Sequence, residues 1–168
     1  MRSGRLDMII STPEDHPGGR KAHLLTEYLW AAVALDHPLS RDQRPMTLND
    51  LKGQTLLTLG SKHRLSHIVA GLAASAGGRV SDEYEGTSLD AIRLMAATGA
   101  GIAILPSIYA ATEARRGTDV SLHPVGAPAA RRDISLIQPQ LPDPRPGSEV
   151  LAEILRSEAE KILKRQEN

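Results

Sequence analysis

Thr87 and Ser88 stand directly ahead of a helical apolar pattern made by Leu89, Ile92 and Ala96. Hydroxyls at that place cap a helix, and with the first backbone amides of the helix they can also hold a small anion. Thr87 and Asp90 have capping-box spacing, with aspartate where glutamate is more usual. Arg64 heads a second pattern of Leu65, Ile68, Val69, Leu72, Ala73 and Ala76. A guanidinium at that end opposes the helix dipole, and a carboxylate or phosphate nearby would relieve it and accept two N–H donors. The bland alternative is an arginine standing in water. His63 is a candidate ligand contact beside it. His63 and His67, four apart, share a helix face as metal ligands can, but no third ligand accompanies them, so no metal site is expected. Ser11 and Thr12 follow a strand pattern and either face the same ligand or merely open the loop at Pro13.

Other chemistries lack their motifs. There is no Gly-x-Ser-x-Gly elbow, and Gly99-Ala100-Gly101 leads into neither a phosphate-loop lysine nor a dinucleotide pattern. No carboxylate pair stands out as an acid/base couple. The expectation is a binding protein and not an enzyme, with no catalytic residue and no cofactor. His16, His23, His37 and His123 read as turn and surface residues. The 168 residues carry no net charge, which argues against a whole-surface grip on nucleic acid or anionic membrane. Cysteine is absent, so thiol nucleophiles, thiolate metal sites and disulfides are excluded within this chain. That composition suits a cytoplasmic protein. The N-terminus does not read as a signal peptide, and no window is apolar enough to span a bilayer.

The elements that must position these residues alternate. Residues 6–10, 24–35, 55–59, 84–86, 102–105, 120–125 and 133–138 read as strands, with Tyr28 and Trp30 on one face of the long second one. Helices are expected over 48–53, opened by a Thr47/Asp50 box, over 65–76, stopped by Gly77-Gly78, and over 89–98, where Gly99 takes the left-handed place. A last helix follows Ser148 as its cap, with Leu151, Ile154, Leu155 and Ile162 as its stripe. Residues 139–147 read as an irregular loop. This order predicts an α/β class with a largely parallel sheet and ligand contacts beyond the strand ends.

Gly4-Arg5-Leu6-Asp7, Asp36-His37-Pro38-Leu39, Thr87-Ser88-Leu89-Asp90-Ala91-Ile92 and Gly99-Ala100-Gly101-Ile102-Ala103-Ile104-Leu105-Pro106, in that order, resemble the regulatory domain of LysR-type transcriptional regulators over almost the whole chain. The resemblance implies a periplasmic-binding-protein type II-like fold, two α/β lobes around a cleft. Residues 19–132 would form a nearly complete second lobe, and 1–18 with 133–168 part of the first. It implies a small, anionic effector in the cleft, met by Ser11, Thr12, His63, Arg64, Thr87 and Ser88, and a homo-oligomer. DNA would be reached only through a domain that this chain does not include, and no membrane is involved. The segment 57–65 and the Arg131-Arg132 pair are similar to the peroxide-sensing subgroup. Arg64, however, stands where those sensors have a reactive cysteine, and Ala73 near where they have the resolving one. The chain resembles only the C-terminal part of such a regulator, so an apolar face of its first lobe is expected to lie uncovered. A transport solute-binding protein of the same fold is the alternative function.

Overall fold

The computed structural model of the chain describes residues 6–42, 44–140 and 145–164. Its elements are β1 (Ile9–Ser11), β2 (Gly19–Ala34), β3 (Thr55–Leu57), α1 (Arg64–Ala76), β4 (Arg79–Val80), α2 (Leu89–Ala97), β5 (Ile102–Pro106), α3 (Ser107–Thr112), β6 (Val120–Pro124), β7 (Arg131–Pro139) and α4 (Ser148–Lys164). Two compact units result, Met1–Glu27 with Arg132–Asn168, and Tyr28–Arg131. β2 gives its residues 19–27 to the first unit and 28–34 to the second. The Gly4-Arg5 part of the sequence motif lies outside the described residues, as does 141–144 of the expected loop.

In the second unit, β3 pairs in parallel with β4 and β5, whereas β2 runs antiparallel to β5 and β6. The sheet is therefore mixed, and the largely parallel sheet expected from alternation is corrected. Antiparallel neighbours need no crossover helix, so a pattern of alternating elements does not fix strand direction. Period-2 alternation along β5 divides the core. Ile102 and Ile104 pack with Leu29, Ala31 and Val33 of β2 and with Leu65, Val69 and Leu72 of α1. Ala103 and Leu105 pack on the other face with Ala32, Ile92 and Ala96. Every residue of β5 is buried, which explains its unbroken apolar run. Gly99, at φ +81°, follows the last turn of α2 as expected.

Several local expectations differ from the structure. Residues 48–53 form turns and not a helix. The Asp50 carboxylate is taken by the Thr47 amide (2.7 Å), the Thr47 hydroxyl (2.8 Å) and both terminal nitrogens of Arg44 (2.7 and 2.8 Å). The Arg44 guanidinium above all, with the Thr47 amide, holds that carboxyl well below the usual carboxylate range. Residues 84–86 are irregular; β4 instead adds to the edge of β3, where the Arg79 amide donates to the Gln54 carbonyl. The short helix α3, entered from Pro106, was not foreseen. His123 is a core residue, not a surface one, at 3% exposure. Its ring Nε2 lies 2.9 Å from the Ser121 hydroxyl.

In the first unit, β1 pairs antiparallel with β7, which neighbours β2. Leu24, Leu136 and Ala152 form the core, with Met8, Ala22, Leu25, Ile134 and Leu155 packed against it. Helix α4 begins at Ser148 itself, whose buried hydroxyl accepts from the Gln138 amide nitrogen at 3.5 Å. It buries Ala152 and Ala159, half-buries Leu155 and Ile162, and leaves Ile154 54% and Val150 60% exposed. The expected stripe is thus rotated toward the small residues. Leu6 and Ile10 of the same unit are also exposed.

Glu27 is 3% exposed, and Arg132 meets it with two donors, Nε at 2.8 Å and a terminal nitrogen at 2.7 Å. One residue away, the Thr26 hydroxyl donates to Asp133 at 2.7 Å. Replacing Glu27 with Ala leaves the Arg132 guanidinium without this partner and is expected to lower unfolding free energy by about 3–5 kcal/mol in urea titrations, enough to unfold a marginal domain. His123 gives a pH signature. Burial above all holds its imidazole below the ordinary value of 6.5, so the unfolded chain takes up a proton that the folded chain refuses. Its contribution is complete above that ordinary value and is lost as pH falls through it toward the folded-state value. The melting temperature should fall on acidification over that window, with a shallower slope for His123→Gln; equal slopes in parallel thermal melts would overturn this assignment.

Candidate functional site

The carboxyl end of β3 and the entries of α1 and α2 lie in the second unit. After Leu57 the chain places Thr58 almost wholly out of solvent, at 4% exposure, and its Oγ1 has no hydrogen-bond partner among the described residues. A buried hydroxyl in that state costs roughly 1–3 kcal/mol relative to a bonded one, so it marks a place where a polar partner would be gained. Gly60 follows. A Cβ there would sit 2.7 Å from the Glu85 carbonyl oxygen and 2.9 Å from its carbon, so no other residue fits without moving backbone.

That close approach joins two loops. The Gly60 amide donates to the Gly86 carbonyl at 2.9 Å. The Ser61 amide (3.1 Å) and hydroxyl (3.3 Å) both donate to Glu85 Oε2. The His63 amide then donates to the Gly60 carbonyl at 3.0 Å and turns the chain into α1. On the other loop, the Tyr84 hydroxyl accepts from the Ser88 amide at 3.0 Å, and the Ser88 hydroxyl accepts from the Ala91 amide at 3.2 Å. The two helix entries read from the sequence are thus brought together through Gly60–Ser61 and Glu85–Gly86.

The individual candidates fare differently. Ser88, not Thr87, is the cap of α2; Thr87 is exposed and precedes it. The capping-box reading of Thr87 with Asp90 is corrected: the Asp90 carboxylate accepts from the Tyr109 hydroxyl and lies 3.7 Å from Arg93 Nε. His63 occupies the cap position of α1 without a side-chain capping bond. Arg64 is the first residue of α1, and it lines a depression of about 410 Å³ with His67, Ile68, Gly71, Ser75 and Ala129. Thr87 and Ser88 are not among those walls. In the first unit, Ser11 ends β1 with its hydroxyl 3.2 Å from His16 Nε2. Thr12 is buried and donates to Asp15 at 2.6 Å. Among the described residues, no group of three His, Asp or Glu side chains could hold a metal ion.

Helix α2 is anchored from behind. Arg93 donates to the Tyr109 hydroxyl at 3.3 Å and pairs with Asp119. Burial, with Asp90 second, pushes the Tyr109 hydroxyl up to about 12. The neutral phenol is therefore retained at any ordinary pH.

The LysR substrate binding domain family matches residues 1–160. The chain belongs to that family. It is 33% identical over 174 residues to the DNA-binding transcriptional dual regulator OxyR of Escherichia coli K12, covering 96% of this chain and 54% of the relative. The chain therefore spans about half the length of the curated relatives it matches. Among solved structures, the oxidized form of OxyR superposes with a TM-score of 0.78 at 30% identity, covering 95% of this chain and 74% of that one. The effector binding domain of BenM with its effector benzoate superposes with a TM-score of 0.76 at 22% identity, covering 96% and 73%, a likeness of fold. The fold is the periplasmic-binding-protein type II-like one of LysR regulatory domains. Although the resemblance to OxyR is direct, this LysR-domain chain has no cysteine, so thiol chemistry within it is excluded. Among the described residues, no helix is long and apolar enough to cross a membrane.

Sequence reasoning named His63, Arg64 and Ser88 but missed Thr58, Gly60, Tyr84 and Glu85. The Thr58→Val variant removes the unpartnered hydroxyl at constant shape. Its unfolding free energy should be unchanged or higher by about 1 kcal/mol. A loss of that size in urea titrations would show that the hydroxyl is satisfied in the folded protein.

Proposed function

We propose that this LysR-domain chain senses a small anionic effector at the joined entries of α1 and α2. The observation that carries the reading is the buried, unpartnered Thr58 hydroxyl beside a loop pair locked by Gly60. Such a site offers a polar group already desolvated and a framework that does not reorganise on binding. Ser88, Thr87, His63 and Arg64 are the further contacts proposed. Arg64, which lines the depression with His67 and Ser75, supplies the positive charge once its side chain turns toward the start of α1, where an anion relieves its opposition to the helix dipole. Ser11 and Thr12, in the first unit, are proposed as ligand contacts from the family resemblance.

In the whole protein, an effector that binds one arrangement of the regulatory domains more tightly shifts its population and so alters a DNA-binding domain. The proposed lobes are 19–132 and 1–18 with 133–168, and association is through a second copy of the regulatory domain. The role is sensing, not catalysis, and the regulators among the relatives favour it over transport.

A thermal-shift screen of the chain against succinate, glutamate, benzoate and inorganic phosphate tests the proposal. At least one anion should raise the melting temperature saturably, since a ligand at 100 times its Kd adds about 2.7 kcal/mol. Arg64→Ala and Thr58→Val should each weaken that response about fivefold or more, equivalent to about 1 kcal/mol. Stabilisation that survives both substitutions unchanged, or no stabilisation by any of the four, overturns the site.

A further inference from the structure

A second concavity, of about 530 Å³, lies elsewhere in the second unit and shares no residue with the effector reading. Trp30, Ala114 and Leu122 give it an apolar floor, and Arg41 and Arg115 are among its walls. The volume falls within the roughly 300–1,000 Å³ of small-molecule sites. We propose that it binds a small amphipathic carboxylate, with an aryl or alkyl body on the floor and the carboxylate between the two guanidinium groups.

Three features support this. The first is charge: two arginines and no carboxylate are among the lining residues. Arg41 is exposed and makes no ion pair among the described residues. The second is placement of the cation. The Arg115 guanidinium lies 5.4 Å from the Trp30 ring centroid, a cation–π contact that holds it over the floor. Arginine in a fixed position loses little freedom when it takes a carboxylate through two donors. The third is rigidity of the wall. The Ser40 hydroxyl donates to the Leu35 carbonyl at 2.7 Å, and the Ser121 hydroxyl donates to the Ser40 carbonyl at 3.2 Å. The segment carrying Arg41 is thereby pinned to β6. Ser121 is in turn 2.9 Å from the buried His123 ring nitrogen.

Trp30 is the single tryptophan of the chain, so its fluorescence reports on this floor. The test titrates the full chain with 3-phenylpropionate and, in parallel, with its neutral counterpart 3-phenyl-1-propanol. The carboxylate should change Trp30 emission saturably with a Kd of about 1 mM or tighter, and the alcohol about tenfold more weakly. Arg41→Gln should weaken the carboxylate about fivefold, Arg41→Lys should retain most of the response, and Arg64→Ala should leave it intact. The last arm separates this site from the proposed effector site. No saturable change, equal response to acid and alcohol, a response undiminished by Arg41→Gln, or loss on Arg64→Ala would each overturn the proposal.

Discussion

A carboxylate as enclosed as that of Glu27 is held in the folded chain by the two N–H donors of Arg132, and this pair sits where both strands leave the first unit. The desolvation penalty of each ion is several kcal/mol, so the fold is tolerable only in the register that joins them. A one-residue slip of β2 against β7 would turn Glu27 to the other face and leave both ions stranded. The neighbouring Thr26–Asp133 bond repeats the demand from the opposite face of the same two strands. Charge here specifies the pairing of the strands more than it stabilises them.

Within the second unit the corresponding constraint is steric. Gly60 lies against the Glu85 backbone, and that contact is what turns two separate helix entries into one surface. Ser61 then spends both its donors on the Glu85 carboxylate, and Tyr84 spends its hydroxyl on the Ser88 amide. With the loop polar groups satisfied by one another, Thr58 stands out as the buried hydroxyl that this network leaves unsupplied. The proposed recognition of a small anion draws on a framework that is already assembled.

Much of the fold was legible because periodicity reports burial directly. The runs at Ile102–Pro106 and the stripe of α1 read correctly because each sits under a full layer. Strand direction was not legible, since the antiparallel return of β2 beside β5 and β6 leaves no mark on composition. Nor was the helical rotation of α4: Leu151 and Ile154 look like core by type, yet Ala152 and Ala159 are the residues the sheet accepts closely. The site was half legible. Apolar periodicity and capping residues mark helix starts, so Arg64 and Ser88 could be placed at two of them. Thr58 could not, because a threonine at a strand end looks the same whether its hydroxyl is bonded or stranded. The direction of Arg64 was also beyond reach, since helix position fixes where a long side chain starts but not which depression its end lines.

The absence of cysteine narrows what the proposed site can be. A signal stored as a covalent bond to a thiol needs sulfur that this LysR-domain chain does not have. The proposed alternative is reversible occupancy, and that requires groups whose free energy changes when a ligand arrives. An unpartnered buried hydroxyl and an arginine opposed to a helix dipole are such groups, because each is less stable empty than filled. The Glu27–Arg132 pair is the opposite case: each ion already has its partner, and the pair serves to hold the strands that carry it.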